Sequence, residues 1–161
     1  MEVTVEQYQK EDLAELAAIW NEVVDEGEAF PQMEDLTVDS AEIFFGNQDY
    51  VGVARADGRI QGLYILHPNN VGRCGHQANA SYAVRSQARG MQIGESLVRD
   101  SLVQAKKLGY RLLIFNAVVK GNERAEKLYH KLGFVKIGEV PGGFLTKNGA
   151  YQDTMMFYHL V

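Results

Sequence analysis

The sequence predicts an α+β fold in one domain over residues 1–161, a sheet flanked by helices. Three observations carry that expectation. Strand patterns lie next to one another at both ends of the chain instead of alternating strictly with helices. Asp57-Gly58, between two apolar runs, is a strong hairpin signal, because glycine readily supplies the positive φ of a tight turn. Helical apolar stripes recur every three to four residues over 12–24 and 93–108.

Taken in order, Val3 to Tyr8 alternates like a short strand. Asp12 to Val24 puts Leu13, Leu16, Ala17, Trp20, Val23 and Val24 near one helical face, and Gly27 marks its end. Phe30-Pro31 opens an irregular segment, and Thr37 to Phe45 reads as a second, short helix. Tyr50 to Ala54 and Ile60 to Leu66 are strands around the Asp57-Gly58 turn. His67 to Gly75 is dense in turn formers and reads as a loop, after which His76 to Val84 is a strand. Ile93 to Leu108 is the clearest helix, with Ile93, Leu97, Val98, Leu102, Ala105 and Leu108 in one stripe and Gly109 as its stop. Arg111 to Val119 reads as a buried strand, Asn122 can cap the next helix, and Gly133 ends it. Phe134 to Val140 and Tyr151 to Leu160 read as final strands around a Pro141-Gly-Gly loop.

Apolar residues make up 46% of the chain and charged residues 23%, which fits a packed globule and not a disordered chain. No apolar run approaches a membrane span, and the N-terminus carries no basic-then-apolar signal region. The one cysteine, Cys74, cannot close an internal disulfide, so the expected location is cytoplasmic with no membrane partner. Net charge is −5 and no lysine or arginine cluster is present, which argues against a nucleic-acid partner. Cys74 with His67 and His76 falls short of a metal-ligand set, so no metal is expected.

The run Tyr82-Ala-Val-Arg-Ser-Gln-Ala-Arg-Gly-Met-Gln-Ile-Gly94 leads from a strand into a helix. A loop at such a junction aims several backbone N–H groups at one spot, and the helix adds its positive end, a geometry suited to a phosphate or pyrophosphate. Gly90 and Gly94 let a ligand approach the backbone. The spacing is neither that of a nucleotide P-loop nor that of a dinucleotide fold.

Farther on lies Asn122-Glu-Arg-Ala125-Glu-Lys-Leu128-Tyr129-His-Lys-Leu132-Gly133-Phe134. Together with Arg89-x-x-x-x-Gly94, this segment resembles the GNAT superfamily of acetyl-CoA-dependent N-acetyltransferases, with elements in the expected order from Leu13 to Leu160. The chain departs from the family's usual pattern where Gln92 replaces the first motif glycine. The resemblance implies a mixed, mostly antiparallel central sheet with splayed middle strands, flanked by helices. It implies acetyl-CoA as co-substrate. Backbone N–H groups from Arg89 through Gly90, Met91, Gln92, Ile93 and Gly94 to Glu95 would hold the pyrophosphate. The pantetheine would run where the strand ending at Val84 parts from the strand holding Phe115 and Asn116. N–H groups near Ala83 and Val84 would hold the thioester oxygen as charge develops.

Tyr129 matches the family's usual general acid. A free tyrosine and a thiol have nearby pKa values, roughly 10 and 8.5. The other reading is a tyrosine that packs helix on sheet and bonds the coenzyme without transferring a proton. Asn122 is either a cap, a coenzyme contact, or both. Asn79 and Asn116 stand on strands, where asparagine is disfavoured, and two such amides can face one cleft, or either can point to solvent or bond a bulge in its own strand. The stretch from His67 to Val84 is similar to fungal N-acetyltransferases that detoxify proline analogues such as azetidine-2-carboxylate. That similarity implies acceptor-site roles for Asn79 and Asn116 and a coenzyme role for Asn122. His76 is a candidate base or acceptor-site residue. Glu22, Asp25, Glu26 and Glu28 either draw in a cationic amine or form a solvated face.

The expected function is therefore direct acetyl transfer from acetyl-CoA to a small amine, such as an amino acid or a toxic analogue. Asn79 would hold the acceptor or carbonyl and Tyr129 would protonate the thiolate. The alternatives are an acetyltransferase for a protein N-terminus or a larger amine, and a silent acyl-CoA-binding module. A homodimer is the expected assembly if the chain pairs as many of the resembled proteins do.

Overall fold

The computed structural model describes residues 2–90 and 92–161. Seven strands form one sheet, β1 (Val3–Gln7), β2 (Tyr50–Ala56), β3 (Arg59–Pro68), β4 (Gln77–Val84), β5 (Leu112–Val119), β6 (Val135–Leu145) and β7 (Tyr151–Leu160), in the order β1-β2-β3-β4-β5-β7-β6. Every neighbouring pair is antiparallel except β4 with β5, which is parallel. The architecture is the expected mixed, mostly antiparallel α+β sheet. Asp57 and Gly58 both take positive φ, 53° and 73°, the pattern of a two-residue turn whose twist matches its strands.

One face of the sheet carries α1 (Leu13–Glu26) and α2 (Val38–Gly46). All six residues expected to face inward on α1 are buried, and Ile19 joins them. Gly27 ends the helix in the left-handed region, φ 67°. Thr37 caps α2 by accepting from the Ser40 N–H. Trp20 stacks on Phe30 with ring centroids 4.3 Å apart, which pins the chain leaving α1 to the core. Burial of each such aromatic contributes about 2–3 kcal/mol.

The other face carries α3 (Ile93–Lys107) and α4 (Glu123–Lys131). Ile93, Leu97, Val98 and Ala105 are buried on α3 as expected, and Ser101 is buried with them. Leu108, placed in the stripe by periodicity, is 47% exposed because the helix ends before it. Leu128 and Tyr129 of α4, with Leu132 just after it, pack on the cluster that holds Phe115, Phe134 and Phe157. Tyr64 lies flat under Gly52, where an added Cβ would meet its ring at 2.2 Å, and its hydroxyl donates to Asp100 at 2.6 Å.

Two expectations about local structure are corrected. Pro141-Gly142-Gly143 is not a loop. The strand runs through it as a bulge between Val140 and Phe144, held by the Gly142 N–H to Asp153 Oδ1 at 2.8 Å. Gly143 suits this place because a Cβ there would lie 2.6 Å from Thr154 Oγ1. The reversal comes at residues 146–150, where the Thr146 N–H donates to the Ala150 carbonyl and Gly149 has φ 88°. Secondly, Asn116 is not buried within its strand. A register shift between Phe115 and Val118 bulges Asn116 and Ala117 outward, and both are exposed. Among the described residues, no helix is long and apolar enough to cross a membrane.

Candidate functional site

Strands β4 and β5 pair only at Gln77 with Leu112 and Ala78 with Leu113, then part. Asn79 stands at the point of parting. Its Nδ2 donates to the Ile114 carbonyl at 2.8 Å, so a side chain makes the bond that the next backbone rung would have made. Beyond it opens a cavity of about 1200 Å³.

The direction of each backbone group along β4 is set by the ladder. Arg85 N–H donates to Gln61 and Asn69 N–H donates to Gln77, both at 2.8 Å, with no register shift between β3 and β4. Antiparallel alternation then turns the Ala83 N–H toward Leu63 on β3, and the N–H groups of Tyr82 and Val84 toward the gap. This corrects the expectation that Ala83 offers its N–H to the cleft. Ala83 belongs to the ladder and the core, and Tyr82 takes the place beside Val84.

The loop after β4 is held from below by α1. Glu22 Oε1 accepts from the Ser86 N–H at 2.6 Å, and Arg89 makes a two-pronged pair with Glu26, at 3.0 and 2.5 Å. The hydrogen bond from Ser86 holds the Glu22 carboxyl below its usual range, with Arg89 and Arg85 adding to it. Glu22 and Glu26 are therefore engaged by the loop and not free counter-ions, and the exposed Arg89 is held in place by Glu26. Gly90 has φ 86° and, among the described residues, nothing within 4 Å of where a Cβ would stand, and Gln92 adopts φ 64°, ψ 14°. The side chain at the departed glycine position is exposed, and the turn keeps a glycine-like backbone at a cost of about 1–2 kcal/mol. Met91 lies outside the described residues.

Among the described residues, the first helical bond of α3 runs from the Ser96 N–H to the Gln92 carbonyl, and the N–H groups of Ile93, Gly94 and Glu95 have no helical partner. The Ile93 side chain points into the core, and Glu95 pairs with Lys131 and Arg99, both lowering its carboxyl pKa. Gly94 lines the cavity and comes within reach of Leu128 across it, 3.7 Å from where a Cβ would be. Asn122 caps α4 by accepting from the Ala125 N–H at 3.3 Å, and it also lines the cavity.

Tyr129 lines the cavity between Phe115 and Phe157, with no hydrogen-bond partner among the described residues. Burial pushes its hydroxyl above the ordinary value, which widens the gap to a thiol that the sequence expectation took as narrow. Tyr82 is pushed up by burial and by Tyr129, and its hydroxyl donates to Ser101 Oγ at 2.7 Å, because that serine already donates to the Val98 carbonyl.

Asn79, Asn116, Asn122 and Tyr129 thus meet on one cavity. The Asn116 Nδ2 donates to Asn69 Oδ1 at 2.6 Å. His76 does not join them. It is exposed at the closed end of β4, where its carbonyl accepts from the Arg111 N–H, because pairing of β4 with β5 at Gln77 and Ala78 separates it from the gap. Sequence reasoning missed Tyr82, which strand alternation could have found, and Lys147. Lys147 donates to the Asp25 carbonyl at 2.8 Å and lies against Gly27, which seats the β6–β7 turn on the end of α1 as a wall of the cavity.

A profile of the acetyltransferase (GNAT) family matches residues 11–134. N-acetyltransferase aca1 of Schizosaccharomyces pombe is 29% identical over 102 residues, 62% of this chain and 49% of that protein. The matched stretch is thus about half the length of the yeast relative. The structure of a GCN5-related N-acetyltransferase from Kribbella flavida superposes with a TM-score of 0.90 at 30% identity, covering 99% of this chain and 98% of that one. A phosphinothricin acetyltransferase from Sinorhizobium meliloti, solved in complex with AcCoA, shares the fold with a TM-score of 0.92 at 20% identity, over 100% of this chain and 89% of that one.

Proposed function

The chain belongs to the acetyltransferase (GNAT) family, and on that premise we propose that it moves the acetyl group of acetyl-CoA to the amine of a small acceptor by direct attack. The observation that carries this reading is the parting of β4 from β5, with the Tyr82 and Val84 N–H groups facing the gap beside the loop into α3. Pantetheine amides pair with the open edge as an added strand. The pyrophosphate lies against the N–H groups of Gly90 and of Gln92 to Glu95, where the α3 dipole favours negative charge. Asn122 contacts the coenzyme as well as capping α4.

The amine nitrogen, once neutral, gives its lone pair to the thioester carbon. The carbonyl oxygen gains charge and is held by the Val84 and Tyr82 N–H groups. The C–S bond then breaks, its electron pair stays on sulfur, and sulfur takes a proton. Tyr129 donates it and recovers one from the nitrogen that has become an amide. Its raised pKa keeps the hydroxyl protonated at neutral pH, and it makes lasting transfer to sulfur uphill, so the returning proton is part of the step. Asn79, with its Nδ2 engaged by Ile114, offers Oδ1 to the acceptor, and Asn116 orients it.

A small acceptor is favoured over a protein N-terminus because the Lys147 turn and the Phe30-Pro31 segment wall the acceptor side. Amino acids and proline analogues are candidates within that class, and a cytoplasmic role in detoxification accompanies them. A homodimer is also part of the reading. Strand β6 is an edge strand whose Val135, Ile137 and Val140 are exposed, and a second β6 can cover them.

Calorimetric titration with acetyl-CoA tests the coenzyme site. Wild-type protein is expected to bind, and Val84→Pro, which removes one N–H from the gap and none from the ladder, to bind at least about 10-fold more weakly. Absence of binding to wild type overturns the reading.

A further inference from the structure

A second pocket of about 380 Å³ lies on the α1/α2 side of the sheet and shares Pro31, Asn79 and Ser81 with the large cavity. Three of the side chains lining it have a donor committed to a backbone carbonyl. His67 Nδ1 lies 2.9 Å from the Pro68 carbonyl, and since a carbonyl only accepts, Nδ1 carries the proton. Asn79 Nδ2 donates to Ile114 and Gln48 Nε2 donates to Phe44, the latter at 2.9 Å. Each is thereby left presenting an acceptor. Gln48 Oε1 is buried without a partner, and turning the amide over would set oxygen against the Phe44 carbonyl. Among the described residues no group bonds His67 Nε2 or Asn79 Oδ1. His67 and Asn79 are directly opposite one another across β3 and β4, so both side chains rise from the same face.

We infer that this pocket receives the acceptor as an ammonium ion and that His67 Nε2 removes its proton before the attack. The steps after deprotonation rest on the acetyl-transfer reading, whereas binding of the amine does not. An ammonium brings donors and no acceptor, the complement of His67, Asn79 and Gln48. The other lining residues carry no ionisable group, so nothing there holds the positive charge by pairing with it. With no counter-charge beside it, the ammonium gains no pairing energy over the neutral amine. Of the three acceptors only the imidazole nitrogen is a proton-accepting base, since the other two are amide oxygens. Proton and electron balance is complete. One ammonium proton goes to His67 Nε2 and then to water. The freed lone pair forms the C–N bond, the C–S pair leaves with sulfur, and the second nitrogen proton replaces the one sulfur takes from Tyr129.

Two measurements test this. The first needs no turnover. Nitrogen-15 NMR of histidine-labelled protein is recorded with ethylamine and without acetyl-CoA. A shift of the Nε2 resonance that disappears in His67→Gln is expected, and an unmoved resonance overturns the inference. The second compares ethylamine with 2,2,2-trifluoroethylamine, of similar shape but far lower basicity and largely neutral at pH 7.5. His67→Gln, which keeps an acceptor in place, is expected to lower kcat/KM for ethylamine about 100-fold and to leave the fluorinated amine within about 3-fold. Equal losses on both amines overturn the base role, since a structural defect does not distinguish them. An NMR shift with no acetylated product separates failure of the transfer reading from failure of this one.

Discussion

Tyr129 and Gln92 make opposite use of conformational and solvation energy. The Tyr129 hydroxyl loses hydration on α4 and gains no protein partner among the described residues, so it waits in the cavity as a donor. Tyr129→Phe is expected to lower turnover about 100-fold or more at every pH from 6 to 9, because the raised pKa keeps the wild-type hydroxyl protonated throughout. A pH–rate profile of the two proteins checks this, and unchanged turnover removes Tyr129 from the proton step. Gln92 holds a positive φ that glycine adopts freely, with its side chain exposed. Gln92→Gly is expected to stabilise the fold by about 0.5–1 kcal/mol in thermal melts, with acetyl-CoA affinity unchanged within about 3-fold.

Elements act here through what they hold in place. Helix α1 fixes the loop beneath the cavity by Glu22 on the Ser86 N–H and Glu26 on Arg89. The Glu22 pKa is depressed in the folded chain, so its stabilisation is complete above the unfolded carboxylate value and is lost as pH falls through the folded one. Glu22→Gln is expected to cost about 1 kcal/mol near neutral pH and to lose less stability than wild type on acidification below about pH 4.5, as read from urea melts. Gly52→Ala drives a methyl into the Tyr64 ring that floors β2, with an expected loss of about 2–3 kcal/mol in the same melts. The sequence was read well wherever a local signal has one structural outcome. Asp57-Gly58 became its turn, and Gly27 and Gly133 ended helices. It was read poorly where the partner strand decides. Pro141-Gly-Gly looks like a turn, yet Thr154 and Asp153 on β7 accommodate it as a bulge. His76 and His67 are alike in sequence, and only the parting of β4 from β5 separates the one at the closed end from the one opposite Asn79. Ala83 and Tyr82 differ only in ladder phase, which the Arg85 to Gln61 bond fixes.

Across the whole molecule, the sheet order puts two openings on one strand. β4 lends the Tyr82 and Val84 N–H groups to the large cavity, and its Asn79 joins that cavity to the smaller pocket on the α1/α2 side. In the proposed reaction, coenzyme and acceptor approach one another through the gap that a continuous sheet would close. The far edge is left to β6, and light scattering of the eluted protein is expected to give the mass of a dimer. Ile137→Lys on β6 is expected to yield monomer, whereas a monomeric wild type counts against pairing. The claim on which the rest depends is acetyl transfer to a small amine. The measurement that tests it most directly is mass spectrometry of products after incubation with acetyl-CoA and a mixed panel of amines. The panel holds ethylamine, amino acids, proline analogues, polyamines and short peptides, and detection by mass avoids the thiol of exposed Cys74. Acetylated small amines above the enzyme-free control, with peptides unmodified, are the expected result. Acetyl-CoA bound but every small amine unchanged would contradict it.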